Sequence, residues 1–427
     1  MNIRSTAKSA TERASTERAG HALILASFLS SAGFTFVFPL LPLYMQELSD
    51  SSAAAVFWAG LAMAATPMAG AVVAPFWGRL ADRYGYRPML LRALFSTAVV
   101  IGLMALPNAP WQLVVLRVLA GALGSFQPVA MAALTSWSRP EDLARAISRL
   151  QMAQVMGAIA GPLLGGIVSA FMGVRYAPLA GAISIAVGVV MVERWFHEPR
   201  GRRAQLRGAG TSLSPTMLWL PMLTLIALQF TDASFNPILP LLLAQGGADP
   251  PMVAALSGLA ASLSSTAAAI GSGLAGRSIG IRVRAMMAMA GGVAVLALAA
   301  VAAPVPWGVV AIRILCGGAV SAVAVGCFTA GGLMVPLGQR GSAYGWLSSS
   351  GMVGYAASPL VAGGLAAIDL RAVLVVDAVL CLIAAAGWRW SPQLVAAPVA
   401  GAVQPAAEST RGSARATDRQ DRSGEPS

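Results

Sequence analysis

Long runs of apolar residues alternate with short polar segments along almost the whole chain. Each run is about twenty residues or longer, which is the length an α-helix needs to cross the hydrocarbon core of a bilayer. A strand of a transmembrane barrel needs only about ten residues of alternating pattern, so the runs predict helices. We number them spans 1 to 12, at residues 21–46, 54–77, 89–107, 111–136, 146–172, 176–196, 216–244, 251–275, 284–303, 307–336, 343–367 and 371–390.

The polar segments divide the twelve spans into two groups of six. We expect residues 1–20 to form a cytoplasmic N-terminal tail and residues 21–196 the first six-helix bundle. Residues 197–215, which are rich in Arg and Gly, are predicted to link it to a second bundle at residues 216–390. Residues 391–427 lack periodicity, which is typical of a disordered tail. Span 1 is longer than the apolar region of a signal peptide, so we expect it to remain in the mature protein.

The composition agrees with a membrane protein. Of the 427 residues, 57% are hydrophobic and 11% are charged, whereas a soluble chain carries roughly a quarter charged residues. The three cysteines lie inside spans without C-x-x-C spacing, which indicates neither a disulfide framework nor a metal site. No phosphate-binding glycine loop occurs, so ATP-driven pumping is not supported. We expect no cofactor and no enzymatic activity.

The basic residues predict an orientation in the membrane. The formal net charge is +12, and 28 of the 29 basic residues are arginine. With both termini in the cytoplasm, 25 basic residues lie on the cytoplasmic side, and only Arg175 and Arg371 lie on the other. Cytoplasmic loops of membrane proteins carry this excess. We therefore expect both termini in the cytoplasm, and a lipid bilayer rather than nucleic acid as the partner of the basic residues.

The two groups of spans repeat each other. Phe38–Leu43 in span 1 returns as Asn236–Leu241 in span 7, at an offset of 198. Arg117–Gly121 in span 4 returns as Arg313–Gly317 in span 10, at an offset of 196. The Pro and Gly residues of span 5 return in span 11. This order predicts an all-α membrane protein of two pseudo-symmetric six-helix bundles, with a pathway between them.

The loop after span 2 reads GRLADRYGYRP at residues 78–88. It closely resembles the G-x-L-A-D-R-x-G-R-[KR]-P signature of the major facilitator superfamily, and it departs from that signature at Tyr86. The resemblance implies a cytoplasmic latch between the two halves, which breaks and re-forms during alternating access. The corresponding loop of the second half has Arg277 in place of the acid. The implied latch residues are Gly78, Asp82, Arg83, Gly85 and Arg87.

Span 5 contains GAIAGPLLGG at residues 157–166. Glycines at intervals of four provide a smooth surface for close helix packing, and a proline bends a helix by removing a backbone donor. The segment is similar to the G-x-x-x-G-P-x-x-G-G signature of the superfamily's drug:proton antiporter branch, and this resemblance implies export rather than uptake. The motif residues are Gly157, Gly161, Pro162, Gly165 and Gly166.

Charged residues inside spans are candidates for proton coupling. Arg117 in span 4 must face a polar interior, because an unpaired cation is costly at membrane depth. Its setting resembles the helix-4 arginine motif, which is implicated in proton coupling in the family; Arg313 repeats it with fewer matching neighbours. Asp232 stands near the middle of span 7 and is our first candidate to carry a proton or contact a cation. Asp377, nearer the outer end of span 12, is the next candidate.

Aromatic and amide side chains inside the spans are candidates for a substrate cavity. Mixed aromatic and amide surfaces suit varied amphipathic ligands. Gln229 and Asn236 lie three and four residues from Asp232, on one helical face. The full set is Phe34, Phe38, Phe126, Gln127, Gln151, Gln154, Gln229, Asn236 and Tyr355.

Taken with the resemblance, these features predict a transporter of the bacterial inner membrane that exports small amphipathic molecules or drugs in exchange for protons. We expect a monomer whose partners are a small-molecule substrate and protons. An exporter of one endogenous metabolite or siderophore is an alternative, as is a proton-coupled nutrient symporter. A third alternative is a membrane sensor or scaffold that does not transport. That alternative fits a chain without the loop acid and the span-4 arginine, whereas this chain has both.

Overall fold

The computed structural model describes residues 3–38, 40–197, 213–247, 249–279, 283–302, 306–366 and 369–390. This part of the chain is mostly helical, and no β-strand occurs in it. Its α-helices are α1 (Ile3–Thr35), α2 (Leu41–Leu48), α3 (Ser52–Tyr84), α4 (Tyr86–Leu103), α5 (Pro110–Leu123), α6 (Phe126–Ser136), α7 (Leu143–Met172), α8 (Ala177–Trp195), α9 (Trp219–Gln245), α10 (Pro250–Leu274), α11 (Val283–Ala302), α12 (Pro306–Met334), α13 (Arg340–Ala366) and α14 (Leu370–Trp390).

Each predicted span coincides with one helix or with a pair of consecutive helices. Within the described residues, nine helical segments are long and apolar enough to cross a membrane. Helices α1, α2, α11 and α13 are outside that set. Helix α13 carries three consecutive serines, of which Ser349 and Ser350 are buried, so its polar side chains face protein rather than lipid. The nine segments are Ser52–Tyr84, Tyr86–Leu103, Pro110–Ser136, Pro140–Met172, Val174–Trp195, Pro215–Gln245, Pro251–Arg277, Trp307–Met334 and Leu370–Arg389.

Two predicted spans are interrupted. In span 1, α1 ends at Thr35 and α2 begins at Leu41; in span 4, α5 ends at Leu123 and α6 begins at Phe126. A proline falls in the first turn of both α2 and α6. Because proline lacks a backbone N–H, it is compatible with the first turn of a helix but not with its interior. Turn hydrogen bonds bridge both interruptions, from the Phe38 N–H to the Thr35 carbonyl and from the Gly124 N–H to the Ala120 carbonyl.

Helix α1 begins at Ile3, so residues of the predicted N-terminal tail continue the helix of span 1. This stretch contains several Ala, Glu and Arg residues, which favour helix formation. Most of the predicted linker at 197–215, and the whole predicted tail at 391–427, lie outside the described residues.

Equivalent helices cross closely in the two bundles. In the first bundle, α7 packs on α1, where a Cβ on Gly161 would lie 2.5 Å from the carbonyl oxygen of Ala32. In the second, α13 packs on α9, where a Cβ on Gly354 would lie 3.0 Å from the Cα of Ile226. Only glycine allows such an approach between helices. The same pair of spans therefore makes the close crossing in both halves, as the internal repeat predicts.

Candidate functional site

The two halves contact each other at one end of the bundle, where α3 ends and α13 begins. We call this region the latch end. Asp82 accepts hydrogen bonds from the backbone N–H groups of Gly341 at 2.8 Å and Ser342 at 2.7 Å. These are the first N–H groups of α13, which have no partner within the helix. The carboxylate of the first half therefore caps a helix of the second half, where the helix dipole favours negative charge.

The backbones of α3 and α13 approach closely beside Asp82. A Cβ on Gly78 would lie 2.9 Å from the carbonyl carbon of Gly341, and one on Gly345 would lie 2.7 Å from the carbonyl oxygen of Ala74. Serine adds a polar contact, because the Ser349 hydroxyl donates to the carbonyl oxygen of Ala71 at 2.5 Å. At this crossing there is no space for a side chain at Gly78 or Gly345.

The other residues of the loop signature contact their own half or end a helix. Gly85 follows α3 with φ +95°, a conformation that favours glycine, and its N–H bonds to the Ala81 carbonyl. The Arg83 guanidinium lies 5.6 Å from the ring centroid of Tyr84. Arg87 donates to the carbonyl oxygen of Glu193 at 2.9 Å, which joins α4 to α8. Of the five signature residues, Gly78 and Asp82 lie against the second half.

Arg340 makes a second contact between the halves, which no motif in the sequence predicts. Its side chain is buried, and it donates to the carbonyl oxygens of Gly332, at 3.1 Å, and of Thr135. These carbonyls lie near the C-terminal ends of α12 and α6, where helix dipoles favour a cation. The one available signal was that Arg340 is the only basic residue between spans 10 and 11.

The halves also meet between α7 and α10. The Ser148 hydroxyl donates to the carbonyl oxygen of Ser272 at 2.5 Å, and Gly276 lies against Ser148. Arg277, which replaces the signature acid in the second half, is exposed. Serine and glycine contacts therefore join the halves at this crossing.

A cavity of about 520 Å³ lies between the halves and is lined by residues from both. Its polar wall is ordered, because the Ser27 hydroxyl donates to Oε1 of Gln127 at 2.9 Å and the Ser31 hydroxyl to the Gln154 carbonyl at 2.7 Å. Asn236 is exposed and does not line the cavity, so its predicted place there is wrong. Four residues of helix span about 6 Å along the axis, so Asn236 lies about 6 Å farther along α9 than Asp232. The predicted residues that do line it are Phe34, Phe38, Phe126, Gln127, Gln151, Gln154, Gln229 and Tyr355.

Among the described residues that line the cavity, Asp232 is the one that carries a charge. It forms an ion pair with Arg313, with 2.8 Å between Nη1 and Oδ1. The aspartate side chain is 33% exposed and the arginine side chain 8% exposed. The Arg313 guanidinium also lies 5.4 Å from the ring centroid of Phe235. Helices α9 and α12 of the second half therefore supply both partners.

Arg117 is fully buried in the first half. Its Nε donates to the carbonyl oxygen of Ala62 at 3.3 Å, while Nη1 and Nη2 have no hydrogen-bond partner in the described part of the protein. The guanidinium lies 4.7 Å from the ring centroid of Phe38 and 5.6 Å from that of Phe34. Both rings line the cavity, so they separate the guanidinium from it.

Asp377 is fully buried between α14 and α9, away from the cavity lining. Its Oδ2 lies 2.6 Å from the hydroxyl oxygen of Ser234, and Oδ1 has no partner in the described part of the chain. The three predicted coupling candidates thus have different surroundings: Asp232 faces the cavity, Arg117 lies behind its aromatic wall, and Asp377 is enclosed.

The motif of span 5 packs α7 against α1. A Cβ on Gly157 would lie 3.0 Å from the backbone nitrogen of Ala32, and one on Gly165 would lie 3.1 Å from the carbonyl carbon of Phe36. Gly166 has no atom within 4 Å of such a Cβ. Pro162 lies inside the helix. The motif glycines thus set how closely α7 approaches the helix that carries Phe34.

Two bundles of membrane-crossing helices around a shared cavity define a multi-pass membrane protein. The family model of the Major Facilitator Superfamily matches residues 23–225 and 221–416. The chain therefore belongs to the Major Facilitator Superfamily, which confirms the resemblance and the fold class predicted from the sequence.

Named relatives share about a third of the matched residues. The chain is 33% identical over 251 residues to the multidrug resistance protein MdtG of Salmonella dublin, covering 57% of this chain and 62% of that protein. It is 32% identical over 255 residues to MdtG of Yersinia enterocolitica, covering 58% and 61%. The chain therefore matches about three-fifths of the length of these relatives.

Solved structures agree on the fold. The human organic anion transporter MFSD10 aligns with a TM-score of 0.73 over 87% of this chain and 99% of that chain, at 18% identity. The proton:xylose symporter XylE aligns with a TM-score of 0.69 over 88% and 96%, at 14% identity.

Proposed function

We propose that the protein is a secondary active transporter that exports small amphipathic molecules or drugs across a bacterial inner membrane, in exchange for protons. The observation that carries the proposal is the cavity between the halves, with aromatic and amide walls and one ion-paired acid. Membership of the family, and the names of relatives that are multidrug resistance proteins, support it.

In this proposal the latch end is cytoplasmic, and both termini lie in the cytoplasm. This orientation agrees with the excess of basic residues in the loops of that side. Residues 21–196 and 216–390 act as two rigid bundles that rock about the cavity, and the contacts at Asp82 and Arg340 close the cytoplasmic side. The conformation described here is therefore the one closed to the cytoplasm.

Asp232 is the proposed proton-binding group. It is the cavity-facing carboxylate, and Arg313 holds it as an ion pair. Protonation of Asp232 removes the charge that holds Arg313, so a proton changes the contacts between α9 and α12. Arg117 contacts no carboxylate in the described residues, and Asp377 does not face the cavity, so both rank behind Asp232.

Inverted membrane vesicles test the direction and the coupling. With an acidic lumen, the protein should accumulate amphipathic compounds inside the vesicles, and a protonophore should abolish accumulation. Loss of compound from preloaded vesicles under the same gradient would indicate an uptake symporter, and transport of a single compound would indicate a dedicated exporter.

Asp232→Asn should bind compounds but fail to accumulate them against their gradient. Asp249→Asn is the matched control, because Asp249 is exposed and lies outside the cavity lining. If the Asp232→Asn variant accumulates compounds with normal pH dependence, Asp232 does not carry the proton and only forms part of the polar cavity wall. Asp377 would then be tested next.

A further inference from the structure

The charges around the cavity do not balance. Asp232 is neutralised by Arg313, which leaves no spare negative charge among the described lining residues. Arg117 lies behind the same wall with no acidic partner there. Tyr355, which lines the cavity, interacts electrostatically with Asp232, Arg117 and Arg313. The described part of the cavity region therefore carries one uncompensated positive charge.

The internal repeat identifies the missing group. Arg117 and Arg313 are equivalent positions at an offset of 196, and the span 1 offset of 198 makes Phe34 the equivalent of Asp232. Where Arg313 meets a carboxylate, Arg117 therefore meets an aromatic ring. An arginine over a ring is stabilised less than one paired with a carboxylate, and burial makes the difference larger.

Arg117 also has donors to spare. A guanidinium has five N–H donors, and one of them is used by the carbonyl of Ala62. Nη1 and Nη2 are buried without a partner in the described residues, and so is Nε2 of Gln127, on the cavity wall. Buried polar groups are ordinarily hydrogen-bonded. The unmatched groups here are donors, so they fit a ligand that brings acceptor oxygens.

We propose that the cavity binds amphipathic molecules with one acidic group, a carboxylate, sulfonate or phosphonate, and that Arg117 binds this group after the rings of Phe34 and Phe38 shift. The inference rests on the proposed function and names its substrate class. The apolar part of the molecule packs on the aromatic wall. An amphipathic cation is disfavoured, because it must compete with Arg313 for Asp232 and lie near Arg117.

A matched set of probes tests the charge preference by binding alone. Pyrenebutyrate, pyrenebutyramide and pyrenebutylamine share one apolar body and differ in charge. We would measure their binding to the purified full chain in nanodiscs of zwitterionic lipid, by energy transfer from tryptophan to pyrene. The wild-type protein should bind the carboxylate at least about tenfold more tightly than the amine, as expected for a buried charge-assisted contact.

Substitutions test whether Arg117 causes the preference for the carboxylate. Arg117→Gln should weaken binding of the carboxylate by about tenfold and leave that of the neutral amide nearly unchanged, which also shows that the variant is folded. Arg117→Lys should keep part of the preference. Phe34→Asp, which supplies the acid found in the second half, should abolish the preference, because Arg117 then has a carboxylate partner. Arg92→Gln is the control, because Arg92 stacks 3.4 Å from the ring centroid of Trp77, away from the cavity lining.

Equal or tighter binding of the amine by the wild-type protein would overturn the inference, and so would unchanged carboxylate binding by Arg117→Gln. If Arg117→Gln does not fold, the order of the three wild-type affinities and the Arg117→Lys result still decide the question. Transport failure in vesicles alongside a clear carboxylate preference would count against the proposed function alone. Proton-driven export without charge preference would count against this inference alone.

Discussion

The close crossing of α3 and α13 predicts that one added methyl group should open the latch end. In Gly345→Ala, the new Cβ would lie 2.7 Å from the carbonyl oxygen of Ala74 and 3.1 Å from the Cα of Pro75. Both neighbours are backbone or ring atoms that cannot rotate away. Because ordinary contacts begin near 3.4 Å, the two helices must separate by about 0.7 Å.

That separation reaches the bonds of Asp82. Its contacts with the N–H groups of Gly341 and Ser342 are 2.8 and 2.7 Å long, and an added 0.7 Å brings them to about 3.5 Å, where a hydrogen bond is substantially weaker. A bond to a charged group contributes about 1.5–3 kcal/mol. Weakening both by half costs the closed state about 2 kcal/mol, or about a 30-fold change in the ratio of closed to open protein.

Alkylation of a cysteine at the crossing measures this ratio. Ser342 is buried and its hydroxyl has no hydrogen-bond partner in the described residues, so Ser342→Cys should perturb little. A water-soluble maleimide should label this cysteine about 30-fold faster when Gly345→Ala is added. Gly364→Ala, on the same helix with nothing within 4 Å of its Cβ, is the control. Equal labelling in the two variants would refute the argument that this crossing limits closure.

Three further predictions concern the latch and the topology. Asp82→Asn should give folded, membrane-inserted protein with impaired transport, since the amide lacks the charge that caps α13; full transport at normal protein level would leave Asp82 without a latch role. Arg340→Gln should speed the same alkylation by about tenfold, because one helix-capping cation is lost; an unchanged rate would make Arg340 irrelevant to closure. Reporter fusions at Asp249 and within residues 200–210 should report opposite sides of the membrane, and a result on the same side would contradict the twelve-span topology.

The spans could be predicted from sequence because membrane crossing demands long apolar runs, and the runs are unambiguous here. The interruptions inside spans 1 and 4 could not. A proline or glycine within an apolar run is compatible with a bend, a break or a packing contact. Which of these occurs at Thr35–Leu41 or Leu123–Phe126 depends on the helices that pack against each position.

Part of the candidate site could also be predicted from the sequence. Eight of the nine proposed cavity residues line the cavity, because polar and aromatic side chains inside spans are best accommodated away from lipid. Asn236 was wrongly included because helical spacing fixes the face of a residue but not its depth. The pairing of Asp232 with Arg313 joins two helices 81 residues apart in sequence, and spacing along a single helix carries no information about it.

The repeat predicts the architecture, but the departures from it carry the chemistry. The latch acid is present only in the first half, where Asp82 meets α13, since Arg277 occupies the equivalent position of the second half. The cavity acid is present only in the second half, where Phe34 is the counterpart of Asp232. A single acid of the first half caps α13, and a single acid of the second half lines the cavity. Two symmetric latches would hold the closed state more strongly, and two acids facing the cavity would leave Arg117 compensated. In the proposed transport cycle a single latch would make closure easier to reverse, and in the proposed binding mode Arg117 is the cation that the substrate would neutralise.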